Sequence, residues 1–137
     1  MKKLITACSV IISLLLVLSA CQAPEPTNLY FTISAEATST TDVLLPEIHR
    51  EITFPLTALE TKTVMFAILY ACEALGYEHV REGKYNEILV SVAGRINTPD
   101  AGWVIEATYR DGTVAPVTTD SVLDDITRIS IAYQSKA

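Results

Sequence analysis

The sequence predicts an α+β domain in which one helix packs on a mixed sheet of about five strands, after an N-terminal signal helix. Three observations predict this class. Several segments alternate apolar and polar residues as half-buried strands do, a single segment of the domain has the apolar spacing of an amphipathic helix, and an Asp111-Gly112 pair joins two of the strands. The part of the chain that follows the signal suits one domain with one hydrophobic core.

The first two strands are predicted on either side of a polar turn at residues 38–42. Alternate residues of the first strand are apolar: Leu29, Phe31, Ile33 and Ala35. In the second strand one parity is again apolar, with Arg50 as the exception: Ile48, Ile52, Phe54 and Leu56. Because an edge strand tolerates a missing N–H, Pro46 and Pro55 near the ends of this segment favour an edge position.

A helix is predicted from Thr63 to Leu75, where the spacing of apolar residues changes to three and four. Its apolar stripe consists of Met65, Ile68, Leu69, Cys72 and Leu75. Thr63 is a candidate N-cap, although Thr57 and Glu60 form an alternative capping box earlier in the chain. Gly76 supplies the residue that ends the helix.

After the helix, a connection and a further strand are predicted. Residues 77–85 are charged and contain Gly83, so they are predicted to form a surface connection. A strand follows from Ile88 to near Gly94, and residues 97–100 (Asn-Thr-Pro-Asp) have the composition of a turn.

The last third of the chain predicts three more strands. Alternate apolar residues define the first of them: Trp103, Ile105, Ala107 and Tyr109. Asp111-Gly112 predicts a two-residue hairpin that returns through residues 113–117, and the last strand runs from Ile126 to Tyr133. With one helix available to cover one face of the sheet, this order favours a β-grasp-like arrangement. A β-sandwich is the alternative, but it would leave the helix as an appendage.

The N-terminus has the features of a secretory signal peptide. Lys2 and Lys3 give a positive start, and residues 4–18 form an apolar run with only isolated hydroxyl-bearing residues. This run is shorter than the roughly 20 apolar residues that span a bilayer core. It ends in Leu18-Ser19-Ala20-Cys21, which resembles the lipobox of bacterial lipoproteins. The resemblance implies cleavage before Cys21 and acylation of its thiol with palmitate-like chains.

Residues 1–20 are therefore predicted to be a lipoprotein signal peptide, residues 21–28 an acylated cysteine with a proline-rich tether, and residues 29–137 a single α+β domain. The tether has no large apolar residue, so it is expected to extend and to hold the domain away from the bilayer. Because two acyl chains anchor a protein stably, the membrane is its first predicted partner. The predicted location is the extracytoplasmic side of the cell membrane.

Charge and cysteine usage exclude several classes of protein. Without Lys2 and Lys3, eight basic residues remain against sixteen acidic ones, so the mature chain carries a formal charge of −8. Nucleic-acid binding depends on clustered Lys and Arg, and so does binding to anionic lipid, so neither is predicted. Cys8 leaves with the signal and Cys21 is acylated, which leaves Cys72 without a partner for a disulfide.

The titratable residues form no catalytic or metal-binding pattern. His49 and His79 have no ligand neighbours at metal-binding spacing, so no metal is predicted. Asp120 with Asp124-Asp125 could hold Ca²⁺ weakly but lacks the alternating ligands and the glycine of a calcium loop, so a solvated turn is favoured. Cys72 lies in the apolar stripe and is expected to be a core residue with a raised pKa. No catalytic residue and no enzymatic activity are predicted.

Four segments carry a resemblance to a known family. They are the helix residues 63–69, the tyrosine-led strand at 85–94, the Gly102-Trp103 strand, and Leu123-Asp124-Asp125 running into residues 129–133. The pattern, which spans Ile48 to Tyr133, resembles the transcobalamin C-terminal-like family, a domain of unknown function common in bacterial surface lipoproteins. In transcobalamins this domain closes over one face of cobalamin. The resemblance therefore implies a ligand-binding or surface-recognition module, with a corrinoid as a candidate ligand.

The loop before the tryptophan strand is the candidate ligand-binding site. Asn97, Thr98 and Asp100 offer hydrogen-bonding groups there, and Trp103 offers a flat apolar face. The favoured alternative for Trp103 is a core position under the helix.

Two functions follow as hypotheses. The first is a lipid-anchored domain that binds a corrinoid or another flat cofactor without turnover. The second is a structural or interaction module that docks a protein or polymer of the cell envelope.

Overall fold

The computed structural model describes residues 27–39 and 44–136 of the chain. Within these ranges the elements are, in chain order, β1 (Asn28–Ala35), β2 (Thr38–Ser39), β3 (Leu44–Leu45), β4 (Ile48–Pro55), a 3-10 turn (Leu56–Ala58), α1 (Val64–Leu75), β5 (His79–Glu82), β6 (Ile88–Val92), β7 (Arg95–Ile96), β8 (Ala101–Tyr109), β9 (Val114–Pro116) and β10 (Ile126–Ser135). The predicted signal peptide, the lipidation site Cys21 and the tether up to residue 26 lie outside the described residues. No helix in the described part of the chain is long and apolar enough to cross a bilayer.

Five strands form a mixed sheet in the order β4-β1-β10-β8-β9. β1 and β10 are parallel neighbours at its centre, and every other pair in this sheet is antiparallel. Along the chain, α1 follows the second strand of this sheet, which gives the connections the β-grasp topology. The predicted α+β class, with one helix and a mixed five-stranded sheet, is confirmed.

One face of the sheet carries the hydrophobic core, and the other face is polar. Side chains of the two central strands on the core face are almost completely buried: Leu29, Phe31, Ile33, Ile129 and Ile131. On the opposite face Thr32 Oγ1 donates to Ser130 Oγ at 2.8 Å, and Tyr30 is exposed. Since burial of a large apolar side chain stabilises by roughly 1.5–3 kcal/mol, the central strands supply a large part of the stability.

Two elements cover the core face. On the β4 side the rings of Phe54 and Tyr70, from β4 and α1, lie 4.5 Å apart. On the β8–β10 side the cover is a separate three-stranded antiparallel sheet, β5-β6-β7. Tyr133 of β10 donates its hydroxyl to the carbonyl of Ile96 in this second sheet at 2.8 Å.

The second sheet is an addition to the predicted architecture. Residues 77–85 were predicted to be a surface connection, but they contain β5, which pairs with β6. The prediction was wrong because β5 has no apolar alternation and Val80, its one aliphatic side chain, is about half exposed (51 %). Only backbone pairing with β6 makes this segment a strand, and sequence periodicity does not report backbone pairing.

The helix has the predicted termini but a different N-terminal cap. Thr63 occupies the N-cap position without a side-chain capping hydrogen bond. The first two N–H groups of the helix donate instead to the carbonyls of Ser121 and Thr119, both at 2.9 Å. At the other end Gly76 adopts φ 75°, and the N–H of Tyr77 bonds back into the last turn, as in a Schellman motif.

The β8–β9 hairpin has one more loop residue than predicted. The N–H of Tyr109 donates to the carbonyl of Thr113 at 2.8 Å, and the N–H of Gly112 donates to the carbonyl of Tyr109 at 2.9 Å. The loop therefore comprises Arg110, Asp111 and Gly112, with Gly112 at φ 87°. A type I turn followed by a left-handed residue is a common three-residue hairpin loop, and an Asp-Gly pair fits it as well as it fits a two-residue loop.

The core position predicted for Cys72 is confirmed, and its thiol provides a test of the fold. Cys72 is 1 % exposed, and burial, with a smaller contribution from the charge of Glu73, raises the pKa of its thiol to about 11. Because the thiolate is the reactive form, we expect iodoacetamide at mildly alkaline pH to modify Cys72 slowly in the folded protein and rapidly in urea. Cys72→Ala should lower the free energy of unfolding by only about 1 kcal/mol or somewhat more.

Ile68→Asp is the matched disruptive variant. It places an unpaired charge at a fully buried position of the same helix face, so it should unfold the domain and abolish the protection of Cys72. Rapid alkylation of Cys72 in the folded wild-type protein would contradict this packing.

Candidate functional site

The predicted binding loop lies between β7 and β8, at the end of the main sheet where β10 also ends. The register between the two long strands pairs Tyr133 with Trp103 and Ser135 with Ala101. The structure therefore brings the loop residues 97–100 and Trp103 to the same end of the sheet as the carboxyl ends of β1 and β10.

Asn97 braces this loop from within. Its Nδ2 donates to the carbonyl of Leu89 at 2.8 Å, and its Oδ1 accepts from the N–H of Trp103 at 2.8 Å. Both ends of the amide are therefore occupied by backbone groups, one in β6 and one in β8. This geometry assigns Asn97 a structural role, and any ligand that used its amide would have to displace one of these bonds.

Thr98 and Asp100 close the turn. The N–H of Ala101 donates to Thr98 Oγ1 at 3.0 Å, and the N–H of Thr98 donates to the carbonyl of Ala101 at 2.7 Å. Lys136 fastens both residues from the C-terminal segment, since its Nζ donates to the carbonyl of Thr98 at 2.8 Å and its N–H to the carbonyl of Asp100 at 2.7 Å. The carboxylate of Asp100 is exposed to solvent.

Trp103 links the two sheets. Its ring is half-buried against the core and contacts the ring of Tyr133 edge-on at 5.4 Å between centroids. Its indole Nε1 donates to the carbonyl of Arg95 at 2.9 Å. Most of this side chain is therefore engaged in packing the second sheet onto the main one, as the core alternative for Trp103 anticipated, although the cover is this sheet rather than the helix.

Arg95 is a functionally placed residue that the sequence analysis did not single out. It is 2 % exposed, and its Nη2 donates to the carbonyls of Glu36 at 3.1 Å and Pro46 at 2.5 Å. Its Nε is buried without a hydrogen-bond partner, and it pairs with no carboxylate among the described residues. One guanidinium thus holds the chain where it leaves β1 and where it enters β4. An arginine directly after the tight Ala93-Gly94 turn was the available sequence signal.

A cleft opens beside Arg95 and the two backbone carbonyls that it binds. We call it the β1 cleft: it is lined by residues 34–36 at the end of β1, 47–49 at the start of β4 and 132–135 at the end of β10, and its volume is about 510 Å³. β1 stops at Ala35, whereas β10 continues for two residues beyond the pairing of Ala35 with Tyr133. The space exists because β1 ends here, whereas β10 continues on one side of it and β4 begins on the other side.

A second, shallow cavity of about 710 Å³ lies at the opposite end of the sheet, around the β8–β9 hairpin. Arg110 and Asp125 line it and form an ion pair at 3.2 Å. In Asp111 the hydrogen bond from the backbone N–H of Thr113 lowers the pKa of the carboxyl below its usual value. These charged groups are engaged with one another or with the hairpin backbone.

The residues considered for metal binding do not converge. Asp125 is paired with Arg110, and Asp120 accepts a hydrogen bond from the hydroxyl of Thr118. His49 lies on β4 and lines the β1 cleft, whereas His79 lies on β5 in the other sheet. Among the described residues no group of three histidine, cysteine or carboxylate side chains is close enough to hold a metal ion.

Comparison of the chain with models of known protein families, with curated proteins and with solved structures finds no match.

The bracing role of Asn97 predicts a stability difference within the loop. Asn97→Ala leaves the carbonyl of Leu89 and the N–H of Trp103 without their partner, so it should lower the free energy of unfolding by about 1–3 kcal/mol in urea denaturation. Asp100→Ala, at an exposed side chain of the same loop, is the control and should change it by less than about 0.5 kcal/mol. Equal, negligible effects of both variants would show that the amide of Asn97 is free to serve a ligand.

Proposed function

We propose that the chain is a membrane-anchored extracytoplasmic lipoprotein whose single domain is a non-catalytic ligand-binding module. The observation that carries this proposal is the short separation in sequence between the lipobox and the first strand of the fold. Only six residues separate Cys21 from Asn28, the first residue of the central strand β1. The fold holds the chain from Thr27 onward, because the carbonyl of Thr27 accepts a hydrogen bond from the N–H of Leu56 at 2.9 Å.

This arrangement orients the domain on the membrane. Six residue steps of at most about 3.6 Å keep Thr27 within about 22 Å of the acylated cysteine. β1, with its 8 residues, then runs roughly 26 Å to the opposite end of the sheet. In this orientation the amino end of β1 faces the bilayer. The β1 cleft and the loop of residues 97–100 face the envelope space, where a ligand reaches them.

A corrinoid is the first ligand to test, on the strength of the family resemblance. The β1 cleft, at about 510 Å³, falls within the size range of small-molecule sites but is too small to enclose a corrin with its substituents. A flat ring would therefore contact the domain with one face, across the cleft and the adjoining ring of Tyr133. Trp103 is the only tryptophan of the chain and contacts Tyr133, so its fluorescence reports on binding here.

Docking of an envelope partner is the second candidate function, and the second sheet favours it. Register places Val80, Ser91 and Ile96 in one row across β5, β6 and β7, so their side chains share a face. Val80 and Ile96 are 51 % and 57 % exposed in this row. Site-specific photocrosslinking should distinguish this function: one discrete adduct from position 96, absent from position 100, would favour it over small-molecule binding.

Lipidation is tested by Cys21→Ser. The variant should take up no labelled palmitate and should persist as a precursor with its signal attached, because no thiol is available for acylation before cleavage. Wild-type protein should take up the label and fractionate with membranes. Labelled palmitate in the Cys21→Ser protein, or none in the wild type, would refute the anchor.

Corrinoid binding is tested by titrating the soluble domain, residues 22–137, with cobinamide. We expect saturable quenching of Trp103 fluorescence beyond that of free N-acetyltryptophanamide, which corrects for absorption of light by the corrinoid. Quenching of the protein no stronger than that of the free indole compound would exclude a corrinoid at this end of the sheet.

A further inference from the structure

We infer that the β1 cleft binds a small ligand through a protonated amine, with the two glutamates at its mouth as the recognising groups. The inference rests on the proposed function and names the ligand class for that site. It depends on three features of the cleft: its preformed walls, the charges that line it, and its apolar floor.

The walls of the cleft are fixed by paired strands. Ala35, the last residue of β1, is opposite Ile48 of β4 on one side and opposite Tyr133 of β10 on the other. β1 and β10 are parallel, so their carboxyl ends lie at the same edge of the sheet, where β1 stops and β10 continues for two more residues. A ligand would enter here without rearranging the backbone.

The hydrogen bonds of Arg95 fix the backbone near the two acidic residues. Its Nη2 bonds the carbonyl of Glu36 and that of Pro46, the residue before Glu47. The backbone at or next to both glutamates is therefore fixed by a single buried guanidinium, and both glutamates line the cleft and are exposed to solvent. A fixed backbone loses less conformational entropy on binding than a mobile one does.

The charges of the cleft select a cation. Among the described residues Glu36 and Glu47 line the cleft and no lysine or arginine does, while His49, which also lines it, is counted as neutral. Arg95 lies buried behind the cleft, and even with its positive charge counted the two carboxylates leave a net negative charge. Two carboxylates that flank a cleft favour an ammonium group and repel a carboxylate or phosphate.

The floor of the cleft accommodates the rest of the ligand. Ala35 and Ile48 are each 6 % exposed beneath the opening, and Tyr133 adds a half-buried ring. Apolar area for affinity with a few polar groups for orientation is the usual composition of a small-molecule site. The occupant expected from this composition is a primary amine on a short apolar or aromatic body.

Three probes of one shape test the inference: 2-phenylethylamine as the cation, 2-phenylethanol as the neutral analogue and 3-phenylpropionate as the anion. We expect the amine to shift the backbone NMR signals of residues 34–36, 47–49 and 132–135 in the soluble domain, with an affinity at least about fivefold higher than that of the alcohol. The anion should produce no shift there. Added salt should weaken binding of the amine, because the attraction is between exposed charges.

Charge-removing variants complete the test. Glu36→Gln with Glu47→Gln should reduce the affinity for the amine to that for the alcohol. The control, Glu51→Gln with Glu106→Gln, removes two exposed carboxylates from the polar face of the same sheet and should leave the affinity unchanged. Equal effects of the two pairs of variants, or binding of the anion in the cleft, would overturn the inference.

The failure of this inference is distinguishable from failure of the proposed function. If no probe shifts the cleft signals while cobinamide quenches Trp103, the module binds a ligand of another class and the amine inference is wrong. If neither the probes nor cobinamide bind while Cys21 is acylated, the chain is an anchored lipoprotein without a small-molecule site at this end.

Discussion

The parallel pairing of β1 with β10 at the centre of the sheet is the constraint on which the rest of the structure depends. It joins the first and last strands of the domain, so the core closes only when almost the whole chain has folded. It also makes both carboxyl ends open at one edge, where β1 leaves toward β4 and the β1 cleft forms. Because β1 begins at Asn28, at the other end of the sheet, the same pairing separates the amino end of β1, where the proposed anchor would attach, from the end that carries the cleft.

The apolar face of the main sheet must be shielded from water, and two different elements, α1 and the β5-β6-β7 sheet, each cover part of it. α1 covers the β4 side with a compact apolar face, whereas the small sheet covers the β8–β10 side with the buried side chains of Leu89 and Val92 and with hydrogen bonds to backbone carbonyls. Trp103 Nε1, Tyr133 Oη and Arg95 Nη2 each donate to a carbonyl of another segment. Such bonds are individually modest, at roughly 0.5–1.5 kcal/mol for neutral donors. Their number at one end of the sheet explains why the polar loop residues there are structural.

The sequence was sufficient for features that repeat with a fixed period. Alternation in β1, β4, β8 and β10 and the three-four spacing of α1 predicted those elements and the core face, because burial of one face imposes the period directly. It was insufficient where a contact joins residues distant in the chain. The capping of α1 by residues 118–123, the pairing of β5 and the burial of Arg95 all depend on tertiary neighbours. For the candidate site, composition indicated the loop at residues 97–100, but it could not show that Asn97 is already bonded at both ends of its amide.

The relation between anchoring and affinity gives the proposed function a physical rationale. An open cleft with exposed carboxylates gains little from each charge contact, since water and salt screen exposed pairs to about 1 kcal/mol or less. The proposed ligand would therefore bind this cleft with modest affinity. The proposed lipid anchor would confine many clefts to one surface, so that a ligand released by one copy is rebound by another before it diffuses away, although the affinity of each cleft is unchanged.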